Sequence, residues 1–280
     1  MNAYFRLMRL DRPIGIYLLL WPTLWALFLA ADGWPRLELL LIFTLGVVLM
    51  RSAGCVINDY ADREIDKHVE RTALRPITAG EISPGSALKL FAGLVVAAFL
   101  LVLMTNWLTI QLSVAAAFLA TLYPFTKRWT HLPQFVLGLA FAMSVPMAFS
   151  ATTNTLQLEM LWVFAATVVW TVIYDTMYAM TDREEDLAIG VKSTAVLFAQ
   201  YDRWIIGILQ IILVFLLINI GKSFNLSQIY DISVLFSAVL MIYHQFLIKN
   251  REKTACFKAF LHNHYLGMVI FLGIALSVLL

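Results

Sequence analysis

LELLLIFTLGVVLMRSAGCVINDYADREID (37–66) runs a long apolar stretch straight into a cluster of acids. About 20 such residues make a helix that crosses a bilayer. The acids at its end need a separate reason, since the chain is 61% hydrophobic and only 14% charged. The pattern recurs 120 residues later: another apolar stretch leads into Asp182-Arg183-Glu184-Glu185-Asp186, matching Asp62-Arg63-Glu64-Ile65-Asp66. The shared D-R-E-x-D suggests two related halves, each bringing a carboxylate pair to one site.

A soluble protein would carry roughly 25% charged residues, so the composition indicates an integral membrane protein. In lipid each span must satisfy its own backbone hydrogen bonds, which at these lengths means helices. Nine spans are expected, at 14–31, 37–57, 86–105, 107–124, 132–151, 157–179, 204–220, 229–248 and 264–280. The expected fold is an all-α polytopic bundle forming one domain over 1–280, in two pseudo-repeated halves, with a cytoplasm-facing cavity. The start superficially resembles a signal peptide, but its apolar run is long enough to span, and many spans follow. All of the 20 basic residues except Arg36, Arg51 and Lys222 fall on one side of this topology. The positive-inside rule then makes the amino terminus and both acidic motifs cytoplasmic and the carboxyl terminus external. Cys55 and Cys256, the only cysteines, form no zinc-type spacing and lie towards the reducing side.

If the second span continues through its acidic motif, Asn58, Asp62 and Asp66 lie at i, i+4 and i+8 on one face. Asp175, Asp182 and Asp186 form a similar stripe, with Glu184 and Glu185 off it. Carboxylates so close repel unless a cation intervenes. Hard oxygen donors suit Mg2+, which shares its coordination with substrate phosphates. Two ladders facing each other could therefore hold a diphosphate. A single motif reads as well as a solvated helix surface, and Arg63, Glu64, Arg183 and Glu184 are expected to be no more than that. Asp175 is a further candidate because an ionisable residue near the end of a span points to function. Arg51, within the second span, is read as structural. His262 and His264 look like a metal pair but point to different helix faces, and Trp21 and Trp25 read as packing.

NDYADREID (58–66) and YDTMYAMTDREEDLAIGVKST (174–194) together resemble the UbiA superfamily of intramembrane aromatic prenyltransferases, with its N-D-x-x-D-x-x-x-D and D-x-x-x-D motifs. RPIGIYLLLWPTLWAL (12–27) and YPFTKRWTHLPQ (123–134) are similar to the 4-hydroxybenzoate polyprenyltransferase branch. The resemblance implies Mg2+-dependent transfer of a polyprenyl group from its diphosphate to the ring of 4-hydroxybenzoate, ortho to the hydroxyl, in ubiquinone biosynthesis. Asp62, Asp66, Asp182 and Asp186 would be the catalytic residues and, with Asn58, the metal ligands. Tyr123 and Lys127 match the family's Y-x-x-x-K, and Lys127 would meet diphosphate. Arg128 would hold the hydroxybenzoate carboxylate. Arg71, Lys192 and Asp175 complete the expected substrate contacts. The implied setting is a bacterial inner membrane, with lipid but neither nucleic acid nor an obligatory protein partner. Two alternatives are another aromatic acceptor within the superfamily and a divalent-cation transporter. The acids cluster at one face rather than along a path, which weighs against transport.

Overall fold

The computed structural model describes residues 2–68 and 72–280. Among these residues the fold is helical, with nine helical stretches long and apolar enough to cross a membrane. A short helix α1 (Ala3–Leu7) precedes the spans α2 (Ile14–Ala31), α3 (Leu37–Asp62), α4 (Pro84–Val102) and α5 (Trp107–Thr126). The fifth span is broken into α6 (Pro133–Ala142) and α7 (Ser144–Thr153). Then come α8 (Met160–Ile189), the short α9 (Thr194–Phe198), α10 (Asp202–Ser223), α11 (Gln228–Leu247) and α12 (Lys253–Leu279). The acidic motifs thus follow the second span in each of two successive four-span runs.

The break between α6 and α7 has a local cause. Pro146 has no N–H to donate, and its ring would crowd the Ala142 carbonyl four residues back. The turns are capped by short polar side chains. Ser83 Oγ accepts from Ser86 N at 3.2 Å and Asn106 Oδ1 from Thr109 N at 3.0 Å.

Helix α8 is the hub. Two-thirds (67%) of its apolar window is buried, against 17% for α4 and 11% for α5, which form a lipid-facing rim. It packs against α6, α10 and α12. Its buried threonines return their hydroxyls to the backbone, as Thr167 does to the Val163 carbonyl at 2.8 Å. The Trp25 and Trp170 rings stack at 5.3 Å, and their indole N–H groups donate to the Gly267 carbonyl and Asn263 Oδ1. Gly267 is required there, because a Cβ would run into both Trp170 and Trp21. The tryptophans are packing groups, as expected.

Besides α3, which runs on to Asp62, two spans extend well beyond the hydrophobic reading. Helix α8 has 30 residues and, at 1.5 Å per residue, is about 45 Å long, well over the roughly 30 Å of hydrocarbon. Its acidic end therefore stands outside. Helix α12 begins at Lys253 rather than near 264, because Cys256, Ala259, Phe260 and Asn263 are buried among the charged residues that lower the local hydropathy. The histidines of α12 diverge: His262 Nδ1 meets His244 Nε2 at 3.1 Å, whereas His264 packs on Tyr265.

Candidate active site

The acidic end of α3 is built by residues far from it in sequence. Leu7, Val56, Ile77, Ile82 and Ala87 form a small apolar cluster that fastens the amino-terminal segment and the 72–83 loop to α3. Arg9, whose backbone is left-handed at φ 55°, thereby reaches Asp59 and donates to both carboxylate oxygens at 3.1 Å. Arg75 joins Asp59 at 3.1 Å to Asp66 at 2.8 Å. Burial works against the charge on Arg75, but Asp59 and Asp66 outweigh it and hold the guanidinium pKa above its ordinary value.

The expected continuous ladder is corrected here. Helix α3 ends at Asp62, residues 63–65 turn, and Asp66 opens a separate 3-10 turn. Asp66 is drawn to Arg75, and the loop threonine Thr72 donates to its carbonyl at 3.2 Å. Asn58 and Asp62 keep their i, i+4 relation. Asp175, Asp182 and Asp186 lie on one uninterrupted helix, as expected.

The two motifs meet at Lys127, the C-cap of α5. Its ammonium pairs with Asp62 and lies within electrostatic reach of Asp186, as Ser193 does. Lys192 N donates to the Lys127 carbonyl at 3.3 Å, and Lys192 Nζ to the Trp129 carbonyl at 3.3 Å. A pocket beside Lys127 is walled by Glu64 and Ile65 on one side and Ile189, Gly190 and Val191 on the other. Helix α8 ends there on Gly190 at φ 73°, with the amides of Gly190 and Val191 on the Asp186 carbonyl.

A cavity of about 660 Å³ runs inward from this end. Asn58, Asp59, Tyr123, Asp175 and Arg51 are among its polar lining, and Phe99, Ala116, Ala117 and Ala120 among its apolar lining. Asp175 is 9% exposed. Arg51 lies against Gly15, where a Cβ would not fit. Its guanidinium donates to Cys55 Sγ at 3.2 Å and stands 5.9 Å from the Phe141 ring centroid, while its buried Nε has no hydrogen-bond partner. Arg51 is thus packed within the bundle and also places a positive charge in the cavity wall. The clue lay in its position seven residues before Asn58, which puts it on nearly the same face.

Arg128 sits at the bundle end beside Lys127. It is exposed, donates to the Ala61 carbonyl at 2.8 Å and lines the small pocket, not the large cavity. Arg71 lies outside the described residues. Arg63 covers the Tyr60 ring at 4.5 Å and Glu64 pairs with Lys67, both at the surface as expected. Arg183 is not idle surface, since it pairs with the buried Asp202 at 3.1 Å.

Among the described residues no three His, Cys, Asp or Glu side chains converge in metal-holding geometry. Basic side chains stand between the carboxylates instead. The donor set still fits Mg2+: Asn58, Asp62, Asp66, Asp182 and Asp186 all offer hard oxygens. Asp62 is 3% exposed, and its Oδ1 has no hydrogen-bond partner.

The nine membrane-length helices among the described residues, with acidic motifs near one lysine, define a multi-pass membrane protein with a polar site at the bundle end. The chain belongs to the UbiA prenyltransferase family, whose pattern matches residues 19–271. It is 70% identical to the 4-hydroxybenzoate octaprenyltransferase of Vesicomyosocius okutanii subsp. Calyptogena okutanii (strain HA), across 97% of this chain and 99% of that one. It is 58% identical to the 4-hydroxybenzoate octaprenyltransferase of Saccharophagus degradans, across 99% of this chain and 93% of that one. Its fold is similar to the apo structure of a UbiA homolog from Aeropyrum pernix K1 (TM-score 0.83, 25% identity, 95% and 98% of the two chains). It also matches a UbiA homolog from Archaeoglobus fulgidus bound to GPP and Mg2+ (TM-score 0.75, 16% identity, 98% and 100%).

Proposed function

We propose that this protein transfers a polyprenyl group from polyprenyl diphosphate to the carbon of 4-hydroxybenzoate ortho to the hydroxyl, releasing diphosphate, as a step in ubiquinone biosynthesis. The observation that carries the reading is Lys127, which binds Asp62 of one motif and lies within electrostatic reach of Asp186 of the other. The names of the two bacterial relatives support the acceptor.

Asn58, Asp62, Asp66, Asp182 and Asp186 would hold Mg2+. Bound with the diphosphate, the metal supplies Lewis acidity that offsets charge on the leaving group. Lys127, Tyr123, Arg128 and Lys192 would form the basic and hydroxyl face for phosphate oxygens, and Arg71, outside the described residues, is a further proposed contact. The allylic C–O bond breaks with its electron pair going to diphosphate. The ring carbon next to the phenolic oxygen attacks the allylic carbon, and the ring proton leaves to a carboxylate of the second motif, for which we assign Asp182. The apolar part of the cavity covers the prenyl chain and keeps water from the cation.

Arg51, rather than Arg128, is assigned the hydroxybenzoate carboxylate. On α8, Asp175 and Asp182 are seven residues apart, about 10 Å along the axis. That length matches a benzene ring with a substituent at each end. With its carboxylate at the level of Arg51 and Asp175, the acceptor turns its hydroxyl towards Asp182. The proposed placement is a bacterial inner membrane, with the amino terminus and site cytoplasmic and the carboxyl terminus periplasmic. The test is direct: purified protein receives Mg2+, 4-hydroxybenzoate and geranyl diphosphate, and the prenylated acid is sought by mass spectrometry. No such product, with turnover of another aromatic acceptor, would overturn the assignment.

A further inference from the structure

The acidic end of α8 has no apolar anchorage of its own. Every buried residue of the helix lies at or before Thr181, and Leu187 and Ile189 beyond it are exposed. Yet this segment carries Asp182 and Asp186. What holds it is charge. Arg183 Nη1 donates to Asp202 Oδ2 at 3.1 Å. Asp202, the first residue of α10, is 0% exposed. Arg251 grips it from the loop before α12, Nε reaching both oxygens at 3.0 Å and Nη2 reaching Oδ1 at 2.7 Å. The amide of Arg203 adds a bond to Oδ1 at 2.6 Å.

The backbone bends to make this arrangement. Arg251 is left-handed at φ 58°, and Ala199, three residues before Asp202, sits at φ 48°, ψ −125°, a region that L residues rarely adopt. A second tie runs from Lys253 to Glu185 at 3.1 Å. Both ties lead from α8 towards the carboxyl-terminal helices, whereas Asp186 lies within electrostatic reach of Lys127 on α5.

We propose that Asp202 is a positioning residue for the diphosphate site. Through Arg183 it fixes the rotation of the last turns of α8, so that Asp182 and Asp186 present their carboxylates to Lys127 and the first motif. Successive helical residues diverge by about 100°, so holding Arg183 sets the direction of Asp182. The same pairing withholds a guanidinium that would otherwise neutralise its acidic neighbours. The inference rests on Asp182 and Asp186 being the diphosphate-side ligands.

The test uses full-length protein and geranyl S-thiolodiphosphate, an analogue that cannot release its diphosphate. Its binding is measured by titration calorimetry over a series of Mg2+ concentrations, beside steady-state kinetics. Arg183→Gln and Asp202→Asn should each weaken analogue binding and raise the Mg2+ needed for half-saturation by about tenfold, as loss of a ligand's supporting partner does. The KM for 4-hydroxybenzoate should stay unchanged, and Arg183→Lys should restore most of the loss. The double variant should be no worse than the worse single one. Unchanged analogue affinity in folded Arg183→Gln overturns the proposal, even where Asp202→Asn fails to fold. A rise in the hydroxybenzoate KM equal to the loss of analogue binding overturns it too. Asp182→Asn separates the two layers. If it binds the analogue as the parent does, the ligand reading itself has failed. If it loses binding while the Arg183 and Asp202 variants keep it, only the clamp has failed.

Discussion

Replacing Arg51 by alanine should leave the diphosphate donor well bound and cripple recognition of the aromatic acid. The Arg51 guanidinium lines the cavity, packed on Gly15 with Nη1 on the Cys55 sulfur and the Phe141 ring nearby. Its charge is there for a ligand carboxylate. A hydrogen bond to a charged group contributes roughly 1.5–3 kcal/mol. At about 1.4 kcal/mol per tenfold, Arg51→Ala should raise the KM for 4-hydroxybenzoate by roughly 10- to 150-fold. The KM for geranyl diphosphate should move little. The cleanest assay crosses the variant with an acceptor that lacks the acid, such as 4-hydroxyacetophenone. The parent enzyme should prefer the acid strongly, and Arg51→Ala should lose most of that preference. Arg51→Lys should recover only part of it, since an ammonium keeps the charge but not the planar fork. An unchanged KM in Arg51→Ala, with a large rise in Arg128→Ala, would return the carboxylate to Arg128 and refute the placement in the cavity.

Asp62→Ala and Asp182→Ala should each lower Mg2+-dependent product formation by at least about a hundredfold, the scale for removing an electrostatic group at the reacting centre. Expression should persist, and full activity in either variant would defeat the metal-ligand reading. Lys127→Met strands the buried Asp62 carboxylate, and breaking such a pair costs about 3–5 kcal/mol. Thermal unfolding of that variant should fall markedly in EDTA and recover in part with Mg2+ and diphosphate; a Tm equal to the parent's in EDTA would count against the pair. Gly267→Ala drives a Cβ into Trp170 and Trp21, and overpacking of this kind costs roughly 1–3 kcal/mol. A lower Tm in detergent checks it, and an unchanged one would show that the rings can give way.

The span pattern was legible because hydrocarbon imposes one rule on every crossing segment. Departures came where polar residues share a helix with buried ones. Lys258 and His262 hid the first turns of α12, although Cys256 and Asn263 are fully buried beside them. The stripe on α8 could be read by counting residues, since nothing interrupts that helix. The one on α3 could not, because the turn at 63–65 depends on Arg75 drawing Asp66 aside. The partners of the site were harder still. Arg9 and Asp59 are 50 residues apart, and nothing local marks them as a pair. Arg51 was visible as a charge in a span, but only its place in the cavity wall, brought there by packing on Gly15, sets it beside the residues of the site.

The arrangement of opposite charges follows from the substrate's two phases. A polyprenyl diphosphate has an apolar tail that belongs in hydrocarbon and an anionic head that does not. A site for both must open on lipid-like walls and end in a field of cations, and those cations need partners when no anion is bound. Asp59, Asp62 and Asp66 fill that role for Arg9, Arg75 and Lys127. Buried charges left alone would cost several kcal/mol each, so the carboxylates keep the cations in place without substrate. In the proposed site Asp62 and Asp66 would also be the hard donors for a divalent ion. On binding, these carboxylates would turn from cationic side chains to the metal, and Arg75 and Lys127 would turn to phosphate oxygens. Such an exchange would conserve paired charge, without a new set of buried charges to desolvate. It also explains why basic and acidic residues crowd the same end of the bundle: separated, neither set would be stable at the edge of the membrane.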